Sequence, residues 1–297
     1  MLYDINNELK AAYDSTSAVT NYAQATITAV PRVTNPPSWF GVMEEHLQTV
    51  QEHANNWLKK ICPAVTHTVP CSVIQFSQSF DASSAKLLDI IQAIESLPGE
   101  GPTDDQRQQV DEILTALLEE TRQHGQEVQS LQGQISDFFL QLAADHTTLS
   151  DNLNTAQAMI VQGKAGVQKL QAVIGEDFIT SEAMGPCHTI VEIKIDITLA
   201  VQVSGVDPGL VTLVFAEAIL KNMVSNQANV IPAIQNILDL WTTLAVKIGS
   251  VITDLQKMKG EDYTSVLKQI DLMVAWDQWK QAADYAAWLY GNDCSSK

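Results

Sequence analysis

From Val110 the apolar positions advance by alternating steps of four and three: Val110, Leu114, Leu117, Thr121, His124, Val128, Leu131, Ile135, Phe138, Leu142, His146, Leu149, Leu153, Ala156, Ile160, Gly163, Val167, Leu170 and Ile174. Such stepping is the seam of a helix packed in coiled-coil fashion. Its one irregularity is a pair of consecutive steps of four, Phe138 to Leu142 to His146, a stutter that locally unwinds the supercoil. The pattern predicts a single helix over about 103–176, roughly 100 Å long at ~1.5 Å per residue. A compact globule of this chain length would be only ~50 Å across. The expectation is therefore an elongated rod.

The same stepping recurs at Met43, Leu47, Val50, Ala54, Trp57 and Ile61, and at Ile234, Ile237, Trp241, Leu244, Ile248, Val251, Leu255 and Met258. Residues 4–29, 72–97 and 262–290 read as further amphipathic helices. Prolines fall between these stretches, at Pro31, Pro36, Pro37, Pro63, Pro70, Pro98 and Pro102, and then at Pro186, Pro208 and Pro232. They mark the expected breaks. A bundle of about five or six helices follows.

One segment has a different period. Val191, Ile193, Ile195, Ile197, Leu199, Val201 and Val203 alternate with Glu192, Lys194, Asp196, Thr198, Ala200, Gln202 and Ser204. Period two is a strand signal. The turn-forming run Ser204-Gly205-Val206-Asp207-Pro208-Gly209 follows, and Leu210, Val211, Leu213, Val214 and Phe215 open a second apolar run. The reading is a hairpin, or a strand followed by an apolar helix, inserted between two helical regions. The fold class expected is all-α dominated, with residues 1–188 and 219–297 as the helical tail and 189–218 as a small apolar β-head.

Composition narrows the possible partners. Seventeen Lys and Arg against 35 Asp and Glu give a formal charge of −18. The chain is repelled by nucleic-acid phosphates and by anionic lipid headgroups, so no nucleic acid is expected as a partner, and any membrane contact has to be apolar or receptor-mediated. The N-terminal run lacks the basic start and apolar core of a signal peptide, which leaves a mature chain or another export route. No stretch reaches the ~18 consecutive apolar residues of a transmembrane helix. Cys62, Cys71, Cys187 and Cys294 make no zinc-type spacing. A Cys62–Cys71 bridge and free buried thiols both remain open.

No nucleophile elbow, metalloprotease helix or dinucleotide loop occurs, and no cofactor or metal is called for. His124 and His146 fall on the long seam, where a hydrogen-bonded core histidine is a plainer reading than a pH switch. Trp276, Trp279, Tyr285, Trp288 and Tyr290 recur at helical spacing, which favours packing over a lipid- or receptor-contact surface. The chain is not expected to be an enzyme.

Residues 44–65, EEHLQTVQEHANNWLKKICPAV, resemble the N-terminal region of the haemolysin BL and non-haemolytic enterotoxin components, members of the cytolysin A superfamily of α-helical pore-forming toxins. In that family a helix carries an asparagine just before a tryptophan and a proline closes it; here these are Asn55, Asn56, Trp57 and Pro63. Residues 71–80, CSVIQFSQSF, are similar to the next helix. The resemblance implies a secreted, soluble rod that hides an apolar head and then exposes it at a target-cell membrane. It also implies assembly with homologous subunits into a pore. The head would be 189–218, with Val191, Ile193, Ile195, Ile197, Leu199, Val201, Val203, Leu210, Val211, Leu213, Val214 and Phe215 as its apolar residues, each worth roughly 1.5–3 kcal/mol on burial. Glu192, Lys194 and Asp196 make the first strand polar for a membrane-seeking element, which suits an auxiliary subunit. The competing reading is a helical scaffold or adaptor with the hairpin as a structural cap.

Overall fold

The computed structural model describes residues 5–28, 40–96, 102–161, 179–185, 187–193, 213–214, 216–225, 231–233, 266–291 and 294, with isolated helical positions between 235 and 253. Among the described residues five long helices carry the fold: α1 (Ile5–Thr28), α2 (Phe40–Asn56), α3 (Val69–Glu95), α4 (Asp104–Val161) and α5 (Val266–Tyr290). Strands β1 (Ile179–Gly185) and β2 (His188–Ile193) form an antiparallel hairpin. The chain is thus dominated by helices, as its periodicity predicts.

Local chemistry explains where α4 starts. Thr103 and Gln106 form a capping box: the Thr103 N–H donates to Gln106 Oε1 at 2.9 Å, and the Gln106 N–H donates to Thr103 Oγ1 at 3.2 Å. Asp104 and Asp105 then place negative charge on the first turn, where the helix dipole favours it. The predicted seam is buried along the described helix, with Val110, Leu114, Leu117, Thr121, Val128, Leu131, Ile135, Phe138, Leu142, Leu149, Ala156 and Ile160 all inside. Positions beyond Val161, including Gly163, Val167, Leu170 and Ile174, lie outside the described residues. At the other end of the chain, α5 closes on Gly291, whose φ of 81° is the left-handed cap glycine tolerates.

Pro63 does not end its helix as expected. The backbone stays helical from Phe40 to Glu95, passing through two π-helical turns, Trp57–Ile61 and Ala64–Thr68, on either side of the proline. A proline inside a helix has no N–H to donate and crowds the preceding turn. Widening the turns accommodates it: the Cys62 N–H reaches the Trp57 carbonyl, five residues back.

The chain divides into two compact units. One comprises residues 1–9, 64–133 and 238–297, the other residues 10–63 and 134–237. In the first, α3 packs against α5, and Phe76 meets Trp279 with ring centroids 4.1 Å apart. Cys71 is bonded to Cys294 there, joining the start of α3 to the chain beyond α5. In the second, α2, the C-terminal part of α4 and the helical residues 213–214 and 216–225 share a core of Phe40, Met43, Leu47, Val50, Leu149, Ala156, Ile160, Val214, Ile219, Leu220 and Met223.

Candidate functional site

The candidate site is the segment from β1 to residue 218, together with the helical footing that holds it. The footing is built around Trp57, which is fully buried. Its indole N–H donates to Thr20 Oγ1 on α1 at 3.1 Å, and its ring stacks on Phe138 of α4 at 5.2 Å. Thr20 Oγ1 also lies 3.4 Å from Cys62 Sγ. The tryptophan singled out by the sequence is therefore a core residue that fastens three helical segments. Asn56 makes no cap hydrogen bond, and Asn55 bonds back to the Gln51 carbonyl at 2.9 Å.

Cys62 is disulfide-bonded to Cys187, with Cα atoms 5.9 Å apart and a sequence separation of 125. Cys187 sits in the turn between β1 and β2, so the closed end of the hairpin is stapled to the helix beside Trp57. The Cys62–Cys71 bridge considered from the sequence does not form. Nine helical residues hold those two thiols roughly 13 Å apart at helical rise, beyond the reach of a disulfide. Each finds a partner distant in sequence instead, and none of the four thiols is free.

The described hairpin runs from Ile179 to Ile193 and overlaps the predicted head, 189–218, only in its second strand. Ile179 pairs with Ile193, Ser181 with Val191 and Ala183 with Thr189, the register slipping between Ala183 and Gly185 beside the turn. Its turn contains Cys187, and the turn predicted at 204–209 lies outside the described residues. Of the predicted head residues, Val191 and Ile193 are in β2. Ile195, Ile197, Leu199, Val201, Val203, Leu210, Val211 and Phe215 lie outside the described residues. Leu213 and Val214 are helical, and Val214 is completely buried in the second unit's core. Their burial with Phe40 and Ile219 places them in the helical footing, so the run opening at Leu210 is by Leu213 a helix and not a returning strand. Glu217, four residues further, is buried and accepts a hydrogen bond from Gln157 Nε2 at 3.3 Å.

Two histidines of α2 line its contact with α4. His53 Nδ1 lies 2.9 Å from Asp145 Oδ2, and His46 Nδ1 lies 3.3 Å from Asn152 Oδ1. Asp145 is 5% exposed. Its position follows from the stutter: with two successive steps of four the seam slips, so Asp145 turns inward beside the half-buried His146. Loss of hydration raises the Asp145 pKa, and the hydrogen bond and charge of His53 oppose that without reversing it.

In the other unit Ser72, His124 and Glu127 form a cluster. Ser72 Oγ is 2.6 Å from both His124 Nδ1 and Glu127 Oε2, and His124 Nδ1 is 3.1 Å from the same carboxylate oxygen. These are the residue types of a hydrolytic triad, but one imidazole nitrogen faces both partners, so the ring does not stand between serine and acid as a proton relay. Tilted against Phe76 with ring centroids 4.8 Å apart, the imidazole is a hydrogen-bonded packing residue. The spacing His124–Glu127, three apart on a helix, was the sequence signal for this pair. An open groove lined by Lys86, Asp89, Ile90, Gln109, Glu112 and Ile113 lies elsewhere in the same unit. Among the described residues no group of His, Cys, Asp and Glu is arranged to hold a metal ion, and no helix is long and apolar enough to cross a membrane.

The model of the family described as Bacillus haemolytic enterotoxin (HBL) matches residues 6–177. Among solved structures, the Bacillus cereus HblL1 toxin component aligns over 98% of this chain and 96% of its own, at 14% identity and a TM-score of 0.50. The pre-pore form of AhlB, from the tripartite α-pore-forming toxin AHL of Aeromonas hydrophila, aligns over 92% and 91%, at 16% identity and a TM-score of 0.53. Soluble SmhA, from the tripartite α-pore-forming toxin Smh of Serratia marcescens, aligns over 95% and 92%, at 10% identity and a TM-score of 0.51. At these identities the likeness is one of fold. No curated protein matches the sequence.

Proposed function

Since the chain belongs to the Bacillus haemolytic enterotoxin family, we propose that it is a secreted subunit of a multi-component pore-forming toxin, soluble until its head segment meets a target-cell membrane. The observation that carries this reading is family membership joined to likeness, over nearly the whole length of both chains, to components of tripartite α-pore-forming toxins. Two disulfides agree with a secreted protein, because such bonds persist in oxidising surroundings.

In this reading the strand-patterned run from Val191 to Val203 is the membrane-facing element. Its odd positions supply apolar burial, and its even positions, Glu192, Lys194, Asp196 and Gln202, face partner subunits or a water-filled lumen where their polar groups are satisfied. Leu213 and Val214 stay in the helical footing. The head is narrowed accordingly to the residues from Val191 up to Leu213. The partners in this reading are the target membrane and homologous toxin subunits. Nothing in the arrangement of Ser72, His124 and Glu127 calls for catalysis.

The test is release of an encapsulated dye from vesicles and from red cells by the purified protein, alone and mixed with any co-encoded helical subunits. The wild type should cause release in at least one mixture. An Ile197→Asp, Leu199→Asp double variant should keep the helical content and melting temperature of the wild type while release is abolished. Leu213→Asp is unsuitable for this purpose, since it would place a charge against the core around Val214. Absence of release and of membrane association in every mixture overturns the toxin reading and leaves the scaffold.

A further inference from the structure

The two disulfides leave their sulfurs in unlike surroundings. Cys71 belongs to the first turn of α3, and the helical backbone runs into it from the π turn Ala64–Thr68, so His67 stands four residues before it on the same side of the helix. His67 Nδ1 lies 3.4 Å from Cys71 Sγ. A disulfide sulfur carries no hydrogen, so the proton in that contact sits on Nδ1 and the imidazole donates to the sulfur. Cys71 is 7% exposed, while Cys294 and His67 are only half-buried. An incoming reagent therefore meets the Cys294 sulfur first, and the sulfur behind it already has a donor. In the other bond the outer sulfur, of Cys187, is likewise half-buried, but the inner one, of Cys62, is completely buried. Its neighbour is the Thr20 hydroxyl at 3.4 Å, which also accepts from Trp57. A thiolate released there would lie in a closed core, where loss of hydration opposes the charge.

We propose that Cys71–Cys294 is a thiol-exchange site, at which a small aliphatic thiol attacks Cys294 and His67 donates to the departing Cys71 sulfur. All three residues belong to the first unit. The external thiol, having lost its proton to solvent, bonds through its sulfur to Cys294 Sγ. The Cys71–Cys294 bond breaks, and its electron pair goes to Cys71 Sγ. That thiolate is held by the Nδ1–H of His67, a hydrogen bond that strengthens as the charge develops, and then takes up a proton from solvent. The products are a mixed disulfide on Cys294 and a thiol on Cys71, with no net oxidation or reduction. Return attack by Cys71 on Cys294 expels the small thiol and closes the bond again, so the modification is reversible. The open form keeps its fold, because α5 rests on α3 through Phe76, Phe80 and Trp279 whether or not the bond is closed. The exchange does not depend on the toxin reading.

The experiment uses the full oxidised chain in native buffer, with N-acetylcysteine as the probe. Samples are quenched over time with N-ethylmaleimide, digested and mapped by peptide mass spectrometry, which reports the opening rate of each disulfide and the sulfur that carries the adduct. Cys71–Cys294 should open about tenfold or more faster than Cys62–Cys187 in the same molecules, with the adduct on Cys294 and the maleimide on Cys71. His67→Leu should slow that opening about tenfold and let the adduct appear on either cysteine, while the rate at Cys62–Cys187 stays unchanged. His67→Asn, which returns an N–H donor near the place of Nδ1, should recover most of the wild-type rate. Equal opening rates at the two bonds of the wild type, or an adduct chiefly on Cys71, overturn the proposal without recourse to any variant. So does faster opening in His67→Leu, which would mean that the ring only shields the bond. An unchanged rate in His67→Leu overturns it as well, since the departing sulfur would then need no donor.

Discussion

The indole N–H of Trp57 donates to Thr20 Oγ1 at 3.1 Å while the ring stacks on Phe138 at 5.2 Å, so one side chain ties the first helix and the long helix to the π-helical turn before Pro63. Most of its worth lies in the ring. Trp57→Ala leaves a large cavity and should cost roughly 3–5 kcal/mol. Trp57→Phe keeps an aromatic face against Phe138 and removes the donor to Thr20, a loss of about 1–2 kcal/mol. Urea unfolding measures both. Equal costs for the two substitutions would show that the hydrogen bond, and not the stacked ring, holds the junction.

Tyr285 poses the opposite case. It is 6% exposed, and its hydroxyl has no hydrogen-bond partner among the described residues. Burial holds the phenol far above its ordinary pKa, so it stays neutral at every physiological pH. A buried donor without a partner destabilises the native state. Tyr285→Phe should therefore be neutral or stabilise the protein by up to about 1 kcal/mol. A melting temperature clearly lowered by this substitution would mean that the hydroxyl is satisfied after all.

Much of the helical frame was legible in the sequence because a seam is a repeated signal. Every predicted apolar seam position from Val110 to Leu149 is buried, and the Thr103–Gln106 box marks a helix start where the predicted helix of about 103–176 begins. Features set by single residues or by tertiary contact were harder to read. Pro63 looked like a stop, because nothing local announces that π turns will carry the helix past it. Strand β1, ITSEAMG, lacks the alternation that made the following segment conspicuous, although Gly185–Pro186 was a turn signal in plain view. The disulfide partners are separated by 125 and 223 residues, and spacing alone carries no information about such pairings. Leu213 and Val214 read equally well as strand or helix, since a short apolar run has no period of its own.

The Cys71–Cys294 bond closes a loop of 223 residues and fastens the chain beyond α5 to the start of α3. Its main effect is expected on the unfolded state, whose freedom it restricts. Replacing both cysteines with serine should cost about 2–4 kcal/mol. Because α5 packs on α3 through Phe76, Phe80 and Trp279 independently of the bond, the helix should remain docked in the variant. Circular dichroism should show unchanged helix content at 25 °C with a lowered melting temperature, and loss of helical signal before heating would refute that division of labour.

Asp145 sets a pH dependence that can be isolated by difference. Its folded pKa is raised above the ordinary 3.8, with loss of hydration as the largest cause and His53 opposing it. A carboxyl whose folded pKa exceeds its unfolded one is protonated more readily in the native state. Its contribution to stability is fully present below the unfolded value and is lost as pH rises through the folded value. Asp145→Asn keeps the shape and an acceptor for His53 Nδ1 while removing the titration. Between about pH 3 and pH 5.5, below the range where histidine titrates, the unfolding free energy of the wild type relative to this variant should therefore rise on acidification. Urea unfolding of both proteins at each pH gives that difference directly. If the wild type instead gains relative to the variant as pH rises, the His53–Asp145 ion pair outweighs the cost of burying the carboxylate, and the stutter in α4 holds a stabilising charge and not a tolerated one.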